Sequence, residues 1–122
     1  MLLIALDQLT KIWALGYSFF VVNNHIYLNY GEYNYTWYVL WLAFIVVITM
    51  LVVKNLKKSV SWFLLFMLSG AISNMFDRLY HGGVVDFIKI GRVDIIFNLA
   101  DLYILIGAAA CFVIFVKNKK AA

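Results

Sequence analysis

The chain has 122 residues, 66% of them hydrophobic and 13% charged, whereas soluble domains are roughly half apolar and about a quarter charged. That balance excludes an ordinary water-soluble domain. A helix crossing a bilayer uses about 20 apolar residues, so four crossings take roughly 80 and leave about 40 for loops and tails. The composition therefore predicts one all-α membrane domain over residues 1–122. The net charge of +4 does not point to nucleic acid, because the basic residues form no stripe. Lys54, Lys57 and Lys58 lie between two apolar runs and Lys117, Lys119 and Lys120 follow the last one, as charges do at membrane ends. The single cysteine, Cys111, sits in an apolar run. It can form no intrachain disulfide and reads as a packing residue.

The apolar stretches predict four transmembrane helices over about 1–22, 36–53, 59–78 and 95–116. With the Lys-rich loop 54–58 and tail 117–122 in the cytoplasm, both termini lie there, and the outer segments 23–35 and 79–94 face the other side. All six acidic residues, Asp7, Glu32, Asp77, Asp86, Asp94 and Asp101, fall outside that loop and tail. Chemistry is therefore expected at the outer end.

In the first helix, Asp7 and Lys11 are four apart and share a face, where an acid preceding a base can pair. Charges inside a span are costly unless paired, so they mark either a site or a neutralising pair. In the first outer segment, His25, Tyr27 and Asn29 alternate with Ile26, Leu28 and Tyr30, the period of a strand. Tyr27, Tyr30, Tyr33, Tyr35, Trp37 and Tyr38 crowd the same border, as aromatics do at the headgroup level. A small β layer on the extracytoplasmic side is the expectation. His25 and His81 have no spaced His, Cys or Glu partners, so they read as surface or hydrogen-bonding residues rather than metal ligands.

In the third helix, Gly70, Asn74 and Asp77 fall at steps of four and three on one face. Arg78 follows directly. The fourth begins Phe97-Asn98-Leu99-Ala100-Asp101 and continues to Gly107-Ala108-Ala109-Ala110. Each of these motifs alone reads as a buried polar clamp between closely approaching helices. Asp86 adds a carboxylate in an apolar, strand-like segment. If the chain turns tightly at Gly91-Arg92, residue 88 pairs with 95 and residue 86 with 97. Asp101 is then four residues further, about 6 Å along the helix. Two carboxylates held close in low dielectric cannot both ionise easily, so one keeps its proton while the other stays charged. That equips the pair to activate water and protonate a carbonyl or leaving amine. Intramembrane acids also mark proton paths, but no polar chain links these to the Lys54–Lys58 side.

Asp7-Gln8-Leu9-Thr10-Lys11, then Gly70-Ala71-Ile72-Ser73-Asn74-Met75-Phe76-Asp77-Arg78, Gly82-Gly83-Val84-Val85-Asp86-Phe87-Ile88 and Phe97-Asn98-Leu99-Ala100-Asp101 closely resemble the ordered motifs of signal peptidase II. That bacterial prolipoprotein signal peptidase family consists of four-helix inner-membrane aspartic peptidases. The resemblance implies that Asp86 and Asp101 form the catalytic dyad. It makes Asn74, Asp77, Arg78 and Asn98 supports for the dyad and the substrate backbone, with Asp7 and Lys11 bracing the same site. Asn29-Tyr30-Gly31 keeps the start of the family's Asn-x-Gly motif, so Asn29 and Gly31 are expected at the substrate, while Glu32-Tyr33-Asn34-Tyr35 departs from it. The family cleaves a diacylglyceryl-modified prolipoprotein before its lipidated cysteine and uses no metal or other cofactor. Its implied partners are lipidated prolipoprotein, membrane lipid and a globomycin-type inhibitor; four membrane helices of this size can be self-sufficient, which predicts a monomer. A binding-only member that holds lipidated peptides without cutting them is the first alternative, and a proton-coupled carrier the second.

Overall fold

Apolar side chains cover much of the outside of this protein, and polar ones occupy much of its inside. The computed structural model describes residues 1–17, 20–23, 35–91 and 95–121. Among these, Leu9, Ile12, Trp13, Val39, Met50, Trp62, Leu105 and Phe112 are each more than half exposed. Asp7, Lys11, Ser61, Ser73, Asn74, Asp77, Asp86 and Asn98 are buried. In water that distribution is unfavourable, but in lipid an exposed Leu costs nothing and buried polar groups satisfy one another.

The elements run α1 (Leu2–Gly16), β1 (Val21–Asn23), α2 (Tyr35–Lys54), α3 (Val60–His81), β2 (Val84–Asp86), β3 (Ile88–Lys89), β4 (Ile96–Phe97) and α4 (Leu99–Ala121). Among the described residues, two helices, Val60–His81 and Leu99–Lys120, are long and apolar enough to cross a membrane. The expected four crossings are thus met by length and composition in two.

The expected first helix, 1–22, stops at Gly16, and Val21–Asn23 instead pairs antiparallel with Val84–Asp86 in the register Val21↔Asp86, Val22↔Val85 and Asn23↔Val84. A short apolar run reads equally well as helix or strand, and two β-branched valines suit the pleat. The expected fourth helix, 95–116, begins later and runs further, because Ile96–Phe97 form a strand and the helical ladder extends through Lys117, Lys119 and Lys120 to Ala121. The expected third helix, ending at 78, continues to His81 and stops where Gly82 turns left-handed at φ 70°. Arg78 and His81 sit in that last turn, where cations complement the helix dipole. The strand expected over 25–30, Asn29, Gly31 and the aromatic border from Tyr27 to Tyr33 lie outside the described residues.

The anticipated hairpin register also shifts. Ile88 pairs with Phe97 and Lys89 with Ile96, rather than 88 with 95 and 86 with 97. A two-residue turn at Gly91-Arg92 would require pairing out to residues 90 and 93, whereas pairing ends at Lys89 and Ile96, with Gly91 at φ 61° inside the longer connection. Asp86 consequently faces Val21 across the other two-stranded sheet.

The helices pack chiefly through α3 and α4, and two glycines set the distance between them. A Cβ on Gly70 would collide with the Ala100 carbonyl oxygen and the Ile104 side chain, and one on Gly107 with Met67 and the Phe63 carbonyl. Close backbone approach of this kind is how small residues join helices in lipid. Towards the Lys54 end, Ile48, Val52 and Leu64 form an apolar cluster flanked by Phe44, Met67, Leu68 and Cys111.

Candidate active site

Close approach at Gly70 brings the polar face of α3 against the start of α4 and the inner face of α1. The centre of the resulting network is Lys11, 2% exposed. Its ammonium lies 2.7 Å from Asp7 Oδ2 and 2.7 Å from Asp77 Oδ2, and it donates to Asn74 Oδ1 at 2.9 Å. Three partners match the three N–H bonds of an ammonium. Asp7 in turn accepts from Ser73 Oγ at 2.7 Å and, through its other oxygen, from the Ala100 amide at 2.7 Å. That amide lies in the first turn of α4, so a carboxylate from α1 satisfies one of its orphan donors and meets the positive end of its dipole. Asp77 also accepts from Gln8 Nε2 at 2.9 Å and from the Val85 amide at 3.0 Å. Through that last bond α3 fixes the strand carrying Asp86.

The two carboxylates singled out from the sequence meet around Asn98. Its side-chain amide donates to Asp86 Oδ1 at 2.8 Å, and its backbone N–H donates to Asp101 Oδ2 at 3.2 Å. Asn98 Oδ1 accepts from the Asp101 amide at 2.9 Å. The exchange between Asn98 and Asp101 is a capping box at the first turn of α4, which explains why the helix begins after Phe97. Asn98 also donates to Asn74 Oδ1 at 3.1 Å, and Asn74 Nδ2 donates to Asp101 Oδ1 at 2.8 Å. Asp86 is buried, while Asp101 is partly accessible. The pair therefore has one sheltered member and one that an incoming group can reach.

Arg78 closes the outer side. Its guanidinium donates to the Asn74 carbonyl at 3.1 Å and stacks 4.5 Å from the Trp41 ring centroid. It is close enough to interact electrostatically with Asp101, Asp77 and Asp86. Trp41 is itself tied down, donating from Nε1 to the Ala71 carbonyl at 3.0 Å.

Asp7, Lys11, Asn74, Asp77, Arg78, Asp86, Asn98 and Asp101 are thus gathered in one cluster, whereas Asn29 and Gly31 lie outside the described residues. Three members were not anticipated. Gln8 and Ser73 stood inside quoted motifs, and an amide and a hydroxyl beside intramembrane acids were the signal for them. Trp41 carried no signal, because an indole in an apolar helix reads as lipid-facing.

Chemically, the cluster offers two carboxylates, amide donors that hold them, and a buried cation that offsets two further acids. Helices that are apolar outside and carry such a polar site at one end define a membrane-type scaffold. A solved bacterial membrane enzyme, determined by the in meso method at 1.9 Å resolution, shares the fold with a TM-score of 0.73 at 22% identity, over 95% of this chain and 88% of that one. A second such structure gives a TM-score of 0.70 over 97% and 85%. The family profile for signal peptidase (SPase) II matches residues 1–117. The lipoprotein signal peptidase of Clostridioides difficile (strain 630) is 30% identical over 97% of this chain and 93% of its own length. That of Enterococcus faecalis (strain V583) is 39% identical over 70% and 55%, and that of Streptococcus pyogenes serotype M1 is 36% identical over 87% and 82%. The chain belongs to the signal peptidase II family, and so to a family of peptidases.

Proposed function

We propose that this protein is an aspartic endopeptidase that removes the signal peptide from diacylglyceryl-modified prolipoproteins, cutting before the lipidated cysteine. The observation that carries the mechanism is the shared contact of Asp86 and Asp101 with Asn98. In this reading the charged carboxylate takes a proton from water as the water oxygen attacks the scissile carbonyl. The protonated one gives its hydrogen to the carbonyl oxygen. Collapse of the tetrahedral intermediate then breaks the C–N bond, with a proton passing to the leaving amine. Water exclusion by the surrounding apolar helices strengthens each of these interactions.

All four helices cross the bilayer in this proposal, with both termini and Lys54, Lys57 and Lys58 in the cytoplasm of a bacterial inner membrane. The dyad then lies at the outer border, where a diacylglyceryl group can stay in lipid while the adjacent peptide bond enters the site. Asn29 and Gly31 contact the substrate backbone, a globomycin-type inhibitor occupies the dyad region, and the protein works as a monomer.

The test is a gel-shift assay in detergent with a diacylglyceryl-modified prolipoprotein. Wild-type protein converts it, and Asp86→Asn and Asp101→Asn each abolish conversion while keeping helical circular dichroism. Full activity in either variant removes that residue from the mechanism, and a wild type that binds the substrate without shifting it establishes the binding-only alternative.

A further inference from the structure

The contact between Arg78 and Trp41 joins α2 to the site and has no counterpart in the dyad chemistry. We propose that Trp41 is a positioning residue that holds the Arg78 guanidinium over the carboxylate cluster, an inference that rests on the peptidase reading above. A guanidinium has a flat apolar face and a rim of five N–H donors. The ring of Trp41 occupies the face at 4.5 Å, while the rim carries the bond to the Asn74 carbonyl at 3.1 Å. That contact holds the cation against the ring without consuming its donors.

The indole is a fixed platform. Its Nε1–H is bonded to the Ala71 carbonyl at 3.0 Å, and its ring leans on Phe44 with centroids 5.6 Å apart. Both tethers tie it to the α2–α3 contact, one turn or more from the carboxylates, so its energy of placement is separate from theirs. Tyr38, one turn earlier on α2, donates to the Arg78 carbonyl at 3.4 Å. The same helix thus grips the backbone and the cation of one residue.

The charge so held has many neighbours. Asp77 from α3, Asp86 from β2, Asp101 from α4 and Tyr38 from α2 all interact with it. From α1, Lys11 reaches Asp77 directly at 2.7 Å and is paired with Asp7 at 2.7 Å. Of these cations only Arg78 is partly accessible; Lys11 is buried and committed to its partners. Letting the guanidinium swing away withdraws positive charge from the dyad on its open side.

The experiment compares Trp41→Leu, which removes the aromatic face, with Trp41→Phe, which keeps a face but not the Nε1–H. The assay is cleavage of diacylglyceryl-modified prolipoprotein by the full chain in detergent. Trp41→Leu is expected to lower kcat about tenfold with KM within about twofold. Trp41→Phe restores most of kcat. The chain has two arginines, Arg78 and Arg92, so their side-chain Nε–H signals can be resolved by NMR. The ring-current shift of Arg78 disappears in the Leu variant and persists in the Phe variant. An active wild type whose Leu variant keeps its kcat overturns the positioning role alone, as do equal losses of kcat in both variants. A wild type that leaves the lipidated substrate uncut overturns the peptidase reading and this inference with it.

Discussion

Lys11 Nζ donates to Asn74 Oδ1 at 2.9 Å, and this contact decides which way the amide points. An ammonium can only donate, so it must meet the amide oxygen, and the NH2 group is left to face Asp101 at 2.8 Å. A residue on the first helix thereby sets a donor on the third against a carboxylate on the fourth.

Replacing that ammonium tests the relationship. Lys11→Met keeps much of the side-chain volume but leaves Asp7 and Asp77, both buried, without their cation. Breaking a buried pair from one side costs about 3–5 kcal/mol. Thermal unfolding in detergent should show a loss of that size, with cleavage falling as Asn74 Oδ1 keeps only the Asn98 amide of its two donors. Wild-type stability in this variant would show that the two carboxylates are neutralised by other means.

Asp77→Asn separates charge from shape. Asp77 Oδ1 accepts from Gln8, and Oδ2 accepts from Lys11 and the Val85 amide. An asparagine has one acceptor oxygen, so whichever way it turns, its NH2 group faces a donor. The expected cost is about 1–3 kcal/mol for the unsatisfied contacts. Activity should fall partially rather than vanish, because the dyad keeps its own donors. Melting temperature and gel-shift rate both at the wild-type level would mark Asp77 as a bystander.

Much of this cluster was legible from spacing alone. Asp7 with Lys11, and Gly70 with Asn74 and Asp77, follow the helical steps of three and four that put residues on one face, and charges in apolar runs are conspicuous. The strand pairing was not legible. A tight turn at Gly91-Arg92 implies one register, yet pairing stops at Lys89 and Ile96, and only the length of the connection decides. The end of α1 was hidden for a related reason, since Val21-Val22 continues an apolar run that suits either a helix or a strand. Trp41 was invisible because its role depends on where Arg78 lands after α2 and α3 pack.

Asn98 combines a helix cap with a dyad contact, and two substitutions divide them. Asn98→Ser keeps a side-chain oxygen able to cap α4 but is too short to reach Asp86, whereas Asn98→Ala loses both. The Ser variant should be more stable than the Ala variant by about 1 kcal/mol. Both should lower cleavage, because Asp86 forfeits the Asn98 contact at 2.8 Å. A Ser variant that cleaves at the wild-type rate would show that the Asn98 amide does not serve Asp86 in the reaction.

Gly70 links packing to chemistry at a greater remove. Its missing Cβ leaves room for the Ala100 carbonyl oxygen, which is backbone and cannot rotate away. In Gly70→Ala the two helices must separate, at a cost of about 1–3 kcal/mol for the misfit. The separation carries Asn98 and Asp101 away from Asn74, and a displacement of about 1 Å can cost roughly a hundredfold in rate. Gly16→Ala is the control. A Cβ at Gly16 meets nothing within 4 Å, so stability should stay within about 0.5 kcal/mol. The measurement is cleavage rate against melting temperature for both variants in the same detergent. If Gly70→Ala melts lower but cuts at the wild-type rate, the carboxylate geometry is set by the polar network alone and the helix spacing does not control it.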